Sequence, residues 1–135
     1  MRKQVNSFKG VAYDPKYFGL TPVVEFERAE PCYSFDTFKV WYHSENEKYY
    51  WAQDSGCSCP SPFEDYGCRE TGDEISDSLE ISMVLDKLDS GDFFEAVNAM
   101  TSAADSSYDR DYAVKEATEA LADLVKFDSK DNNDE

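Results

Sequence analysis

Residues 35–53 read F-D-T-F-K-V-W-Y-H-S-E-N-E-K-Y-Y-W-A-Q. Nine residues rich in aromatic and β-branched side chains are followed by four turn formers and then by six more residues of strand character. This predicts an antiparallel hairpin with its turn near residues 44–47. Strand side chains alternate, so Phe38 and Val40 share one face, as do Tyr49 and Trp51. Upstream, P-V-V-E-F-E-R (22–28) sets Val24 and Phe26 against Glu25 and Glu27, the pattern of a half-buried strand. Residues 1–21 carry Gly10, Pro15 and Gly19 among Phe8, Tyr13, Tyr17 and Phe18, and read as an aromatic arm laid over the core.

The period changes downstream. Asp77-Ser78-Leu79-Glu80 has the form of a capping box, and Ile81, Val84, Leu85 and Leu88 follow at the spacing of one helical face until Ser90-Gly91. Asp92-Phe93-Phe94-Glu95 repeats the cap, with Phe93, Val97, Met100 and Ala104 as the next face. A third helix is expected from near Ser107, with Ala113, Ala117, Leu121 and Leu124 on one side. Strands first and helices afterwards imply an α+β fold: a small antiparallel sheet of about three strands, then about three short helices on one of its faces or beside it. The expected core sets Phe26, Phe38, Val40, Trp41 and Trp51 against Leu85, Leu88, Leu121 and Leu124.

A chain of 135 residues fits one domain, 1–135, with its own core. Within it, 1–66 hold the arm, sheet and a Cys/Pro loop, 67–128 an acidic helical region, and 129–135 a tail expected to fray. Residues 1–60 carry 7 basic and 8 acidic side chains, a net of −1, whereas 61–135 carry 6 and 21, a net of −15. Such a surface repels nucleic acid and anionic lipid and attracts basic protein surfaces. The sequence contains no apolar run of membrane-span length, and its first residues lack an apolar signal core, so a cytoplasmic protein is expected. Cys32, Cys57, Cys59 and Cys68 are then expected to stay reduced.

Residues 54–65 read D-S-G-C-S-C-P-S-P-F-E-D. Cys57 and Cys59, with Cys68 and Cys32 or His43, offer soft ligands for zinc, but structural zinc sites usually supply two paired knuckles and here there is one. Asp54, Glu64 and Asp65 are the wrong sign to lower a thiol pKa for redox work. His43 as base for Ser55 or Cys57 is the remaining nucleophilic arrangement. The reading that covers most residues is structural. Asp54-Ser55-Gly56 turns out of the strand, Cys57 and Cys59 pack as small apolar groups, Pro60 and Pro62 stiffen the segment, and Phe63 tucks under the sheet. No cofactor is called for. Phosphate-loop, dinucleotide, zincin and EF-hand patterns are all missing, so the residues indicate no enzyme.

The runs T-P-V-V-E-F, Y-S-F-D-T-F-K-V-W and Y-W-A-Q-D-S-G-C-S-C-P-S-P-F-E-D-Y, over roughly residues 16–66, resemble a family of small proteins encoded by bacteriophages of actinobacteria. The family has no activity to lend. The resemblance implies a viral protein acting in the cytoplasm of the infected host, where small phage proteins bind and redirect or inhibit host factors. Carboxylates expected to make such a contact are Glu64, Asp65, Asp73, Glu74, Asp77, Glu80, Asp86 and Asp89. The expected partner is a host protein with a basic surface, with no direct contact to nucleic acid or membrane, and the narrower form of the idea is a DNA mimic. The alternatives are an acidic half that only keeps the protein soluble and a small zinc-binding or structural phage protein.

Overall fold

The structure, a computed structural model, describes residues 7–30, 34–57, 63 and 65–132, the side chains of Cys57 and of residues 131 and 132 excepted. Among the described residues the chain forms an α+β fold. β1 (Phe8–Gly10), β2 (Leu20–Glu27), β3 (Ser34–His43), β4 (Lys48–Cys57), β5 (Gly67–Arg69) and β6 (Asp89–Gly91) accompany α1 (Glu74–Lys87), α2 (Phe93–Asp105) and α3 (Arg110–Asn132). The main sheet has the order β2-β3-β4-β6, and β1 pairs with β5 in a second, two-stranded sheet.

The predicted hairpin is the centre of the main sheet, with Phe38 opposite Gln53, Val40 opposite Trp51 and His43 opposite Lys48. On its other side β3 pairs with β2, where the register shifts between Pro22 and Val24. Such a bulge suits a proline, which cannot donate to the ladder and is tolerated on an edge strand. Ahead of β2, Gly19 sits at φ 76° and closes the short helical turn Pro15–Phe18. A Cβ there would come within 2.7 Å of His43 Nε2, so only glycine fits.

Alternation divides the core in two. Phe26, Phe38, Val40 and Tyr49 face α2 and α3 and join Ala96, Met100, Ala113, Ala117 and Leu124. Trp41, Tyr50 and Ala52 face the other way and join Val11, Phe18 and Leu20 of the arm with Phe63, Cys68, Val84 and Leu88. This corrects the expected one-sided sheet: Leu88 and Leu124 are both buried, but against opposite faces. The cause is the segment after α1. Instead of merely stopping a helix, Asp89, Ser90 and Gly91 pair with Trp51, Tyr50 and Tyr49, so the chain crosses the sheet edge before α2 begins. The arm does lie over the core, as expected, and also contributes β1, whose Lys9 pairs with Cys68.

Three helix and loop boundaries differ from the sequence reading. α1 starts at Glu74 with Asp73 as its cap, not at Asp77. β4 continues through Ser55, Gly56 and Cys57, because Asp36, Phe35 and Ser34 extend β3 to pair with them, and the expected turn at Asp54-Ser55-Gly56 is not formed. The tail, expected to fray from residue 129, stays helical to Asn132. Phe127 packs on Tyr42 with ring centroids 5.6 Å apart, and Asp128 accepts a hydrogen bond from the Tyr49 hydroxyl at 2.9 Å, which ties the last turns to the hairpin. The capping box at Asp92 and Glu95 is present as predicted, each side chain accepting the other's backbone N–H.

Candidate functional site

The fold brings most of the expected acidic residues together along α1. Asp73 and Glu74 stand exposed at its start, Glu80 and Asp86 are exposed along it, and Asp89 is exposed at the head of β6. Asp65 is exposed in the turn before β5, and Glu64 lies outside the described residues. From 73 to 89 the chain carries six carboxylates and one cation, Lys87, a net of −5. Acidic side chains in the first turn suit the positive end of the helix dipole.

Asp77 behaves differently from its neighbours. Its carboxylate accepts hydrogen bonds from Thr71 N–H at 2.9 Å, Thr71 Oγ1–H at 2.8 Å and Gly72 N–H at 3.0 Å. It therefore holds the loop that enters α1 rather than facing a partner. Its pKa is lowered from the ordinary value, first by the Thr71 backbone bond, which outweighs the opposing desolvation, and then by the Thr71 hydroxyl and the Gly72 N–H.

The structure adds a feature the sequence reading passed over. Ile75, Leu79 and Met83 are 80%, 62% and 54% exposed, a row of large apolar side chains at spacing i, i+4, i+8. The buried side of the same helix carries Val84 and Leu88, with Ile81 and Leu85 partly buried beside them. At 3.6 residues per turn the two rows lie on opposite sides, so α1 is apolar on two faces. Ser78 and Ser82 run beside the exposed row and, with Glu74, form a shallow groove along it. The spacing is present in the sequence, but a helix with two apolar rows has no single apolar face to mark it.

The Cys/Pro segment plays a structural part where it is described. Asp54 Oδ2 accepts the Phe63 backbone N–H at 2.6 Å, and Phe63, 2% exposed, meets Trp41 edge-on at 5.5 Å. Cys68 is buried on β5, and its thiol pKa is raised by that burial and by Glu80 and Asp77. A protonated, enclosed thiol is a poor nucleophile and a poor metal ligand. Cys32, Cys59, Pro60 and Pro62 lie outside the described residues, and among the described residues no three His, Cys, Asp or Glu side chains converge as a metal set.

His43 and Ser55 do not meet. His43 pairs with Lys48 at one end of the hairpin, while Ser55 pairs with Asp36 near the other, seven residues along β3. At strand rise this is roughly 23 Å, so the nucleophile and base weighed from the sequence are not a catalytic pair. Instead His43 is buried, and its Nδ1 accepts the Asn46 backbone N–H at 3.1 Å, which stabilises the hairpin turn.

On the opposite side of the sheet, Met100, Ala104, Ala117 and Leu121 line an apolar notch of about 180 Å³ between α2 and α3. That is below the size of an ordinary small-molecule pocket. Among the described residues no helix is long and apolar enough to cross a membrane.

No curated protein and no solved structure matches the chain. The domain match covers nearly all of the elements above, from β1 to the last turns of α3, and it fixes the family: the chain belongs to the one described as a domain of unknown function (DUF7574), which matches residues 9–130.

Proposed function

We propose that the protein is a phage-encoded accessory factor that binds a host protein through the acidic surface around α1 and so modulates or inhibits it. The observation that carries this reading is the uneven charge, −1 over residues 1–60 and −15 over residues 61–135, together with the exposure of Asp73, Glu74, Glu80, Asp86 and Asp89 on one helix and the strand that follows it. A solvated surface can be made of mixed charges, so core formation does not require this imbalance. A concentrated negative field speeds encounter with a basic surface and excludes nucleic acid and anionic lipid. The resemblance to actinobacteriophage proteins supplies the setting, the cytoplasm of the infected cell.

Recovery of the tagged protein from an actinobacterial host, with bound proteins identified by mass spectrometry, names the partner. The complex should then weaken steeply with salt, and Glu80→Lys with Asp86→Lys should slow its association while leaving the melting temperature within a few degrees. Binding indifferent to salt and to those reversals would remove the acidic-surface reading. In its narrower form, DNA mimicry, duplex DNA competes for the same site on the partner. The exposed Ile75, Leu79 and Met83 favour the broader protein-docking form, since a phosphate mimic has no use for an apolar ridge.

A further inference from the structure

We infer that α1 is a helix-docking element and that its partner presents a basic amphipathic helix. This rests on the protein-binding reading above and adds the shape and chemistry the partner must have. Ile75, Leu79 and Met83 form a ridge along the outside of α1, and the small side chains of Ser78 and Ser82 leave a groove beside it. Rows of residues four apart are the ridges that interdigitate when two helices pack, so this side of α1 already has the relief a second helix requires. From Ile75 to Met83 the ridge is about 12 Å long, two helical turns, enough for anchors at i, i+3 or i+4, and i+7 of the incoming helix.

Charge selects among the possible occupants. The ridge is bounded by Asp73 and Glu74 at one end, Glu80 along one side and Asp86 at the other end, where the exposed Lys87, next in the same row, is the segment's one cation. A second copy of this chain would bring another net −5 segment against the first, and the like charges would oppose pairing. An anionic bilayer is repelled for the same reason. A helix with leucine-type anchors on one side and Lys or Arg flanking them buries the ridge and neutralises its border at once.

The test uses the full chain and two synthetic peptides of identical Leu/Lys composition, each roughly four helical turns long. In one the leucines fall on a single helical face, and in the other they are scattered around the helix. The amphipathic peptide should bind at least about ten-fold more tightly, and it should shift the backbone amide resonances of Ile75, Leu79 and Met83. Leu79→Glu is the decisive variant. It makes the surface more acidic while removing the central anchor, so helix docking demands weaker binding of the amphipathic peptide, whereas charge attraction alone demands tighter binding. Ile75→Ser should weaken binding in the same direction, and both sites are exposed, so thermal melts should confirm an intact fold. Equal affinity for the two peptides, or tighter binding by Leu79→Glu, would overturn helix docking and leave the acidic-surface reading standing. Failure of both peptides to bind at low salt would overturn that reading and this inference together. A concentration-dependent dimer abolished by Leu79→Glu would assign the ridge to a second copy and overturn the inference.

Discussion

Asp54 holds Phe63 in a backbone conformation that phenylalanine rarely adopts. Phe63 sits at φ 63°, its N–H bonded to Asp54 Oδ2 at 2.6 Å, while Asp54 Oδ1 accepts the Ser55 N–H at 3.0 Å. Left-handed backbone at a bulky residue costs about 1–3 kcal/mol, which here is offset by the hydrogen bond and by seating the ring against Trp41. Asp54→Ala removes the acceptor and should destabilise the fold by about 1–3 kcal/mol in chemical denaturation. The tryptophan emission of the native state should shift as Phe63 loosens over Trp41. Unchanged stability would mean that packing alone seats Phe63.

Arg28 joins the sheet to the turn between α2 and α3. Its guanidinium donates to both Asp36 carboxylate oxygens at 3.1 and 3.0 Å, to Ala103 O at 2.8 Å and to Ser106 Oγ at 3.2 Å. The Ser107 hydroxyl in turn donates to Arg28 O. Arg28 is 9% exposed, so its removal leaves Asp36 in a largely enclosed place with only the long Gln53 Nε2 contact, and Ala103 O with only the Ser106 hydroxyl. Arg28→Ala should cost about 3–5 kcal/mol. Arg28→Lys should recover little of it, because an ammonium group cannot make the forked contact. A melting temperature for Arg28→Lys close to wild type would refute the clamp.

Depth of burial within one core face gives different values to two leucines of one helix. Leu124 is fully buried in the cluster that also holds Val40 and Met100, whereas Leu121 is only partly buried against it. Leu124→Ala should cost about 2–5 kcal/mol and Leu121→Ala distinctly less. Equal losses in urea titration would contradict this packing.

Legibility in the sequence followed how local each cause was. The hairpin of β3 and β4 could be read because alternation and turn residues lie within a short stretch, and the second capping box because Asp92 and Glu95 satisfy each other. The strand at Asp89–Gly91 could not, since nothing in Asp-Ser-Gly favours a strand and its pairing is with Tyr49 to Trp51, some forty residues earlier. The helical tail was hidden for the same reason: Phe127 and Asp128 are held by Tyr42 and Tyr49. Asp77 did have the look of a capping residue, but its carboxylate serves the loop behind it, which displaced the helix start to Glu74. Of the candidate surface, the carboxylates were legible and the ridge was not. A helix with apolar rows on opposite sides has no single face to find, and only the buried positions of Val84 and Leu88 reveal that Ile75, Leu79 and Met83 are left over.

Asp77 gives stability a specific pH dependence. Its pKa in the folded protein lies below the ordinary value of 3.8, chiefly because the charged form accepts the Thr71 N–H, with the Thr71 hydroxyl and Gly72 N–H adding to it. A carboxylate with a depressed folded-state pKa binds protons more readily in the unfolded chain. Its contribution is therefore fully present above the unfolded value and is lost as pH falls through the folded one. Asp77→Asn should accordingly melt lower than the wild type at neutral pH, and the gap should narrow as pH drops below the ordinary carboxylate range. The comparison must be between the two proteins at each pH. Protonating the other carboxylates of a chain with net charge −16 relieves mutual repulsion in both alike, and that general effect has the opposite sign. A gap that stays constant down to strongly acidic pH would mean that Asp77 contributes through shape, with the ionised carboxylate playing no part in holding Thr71 and Gly72 at the entrance to α1.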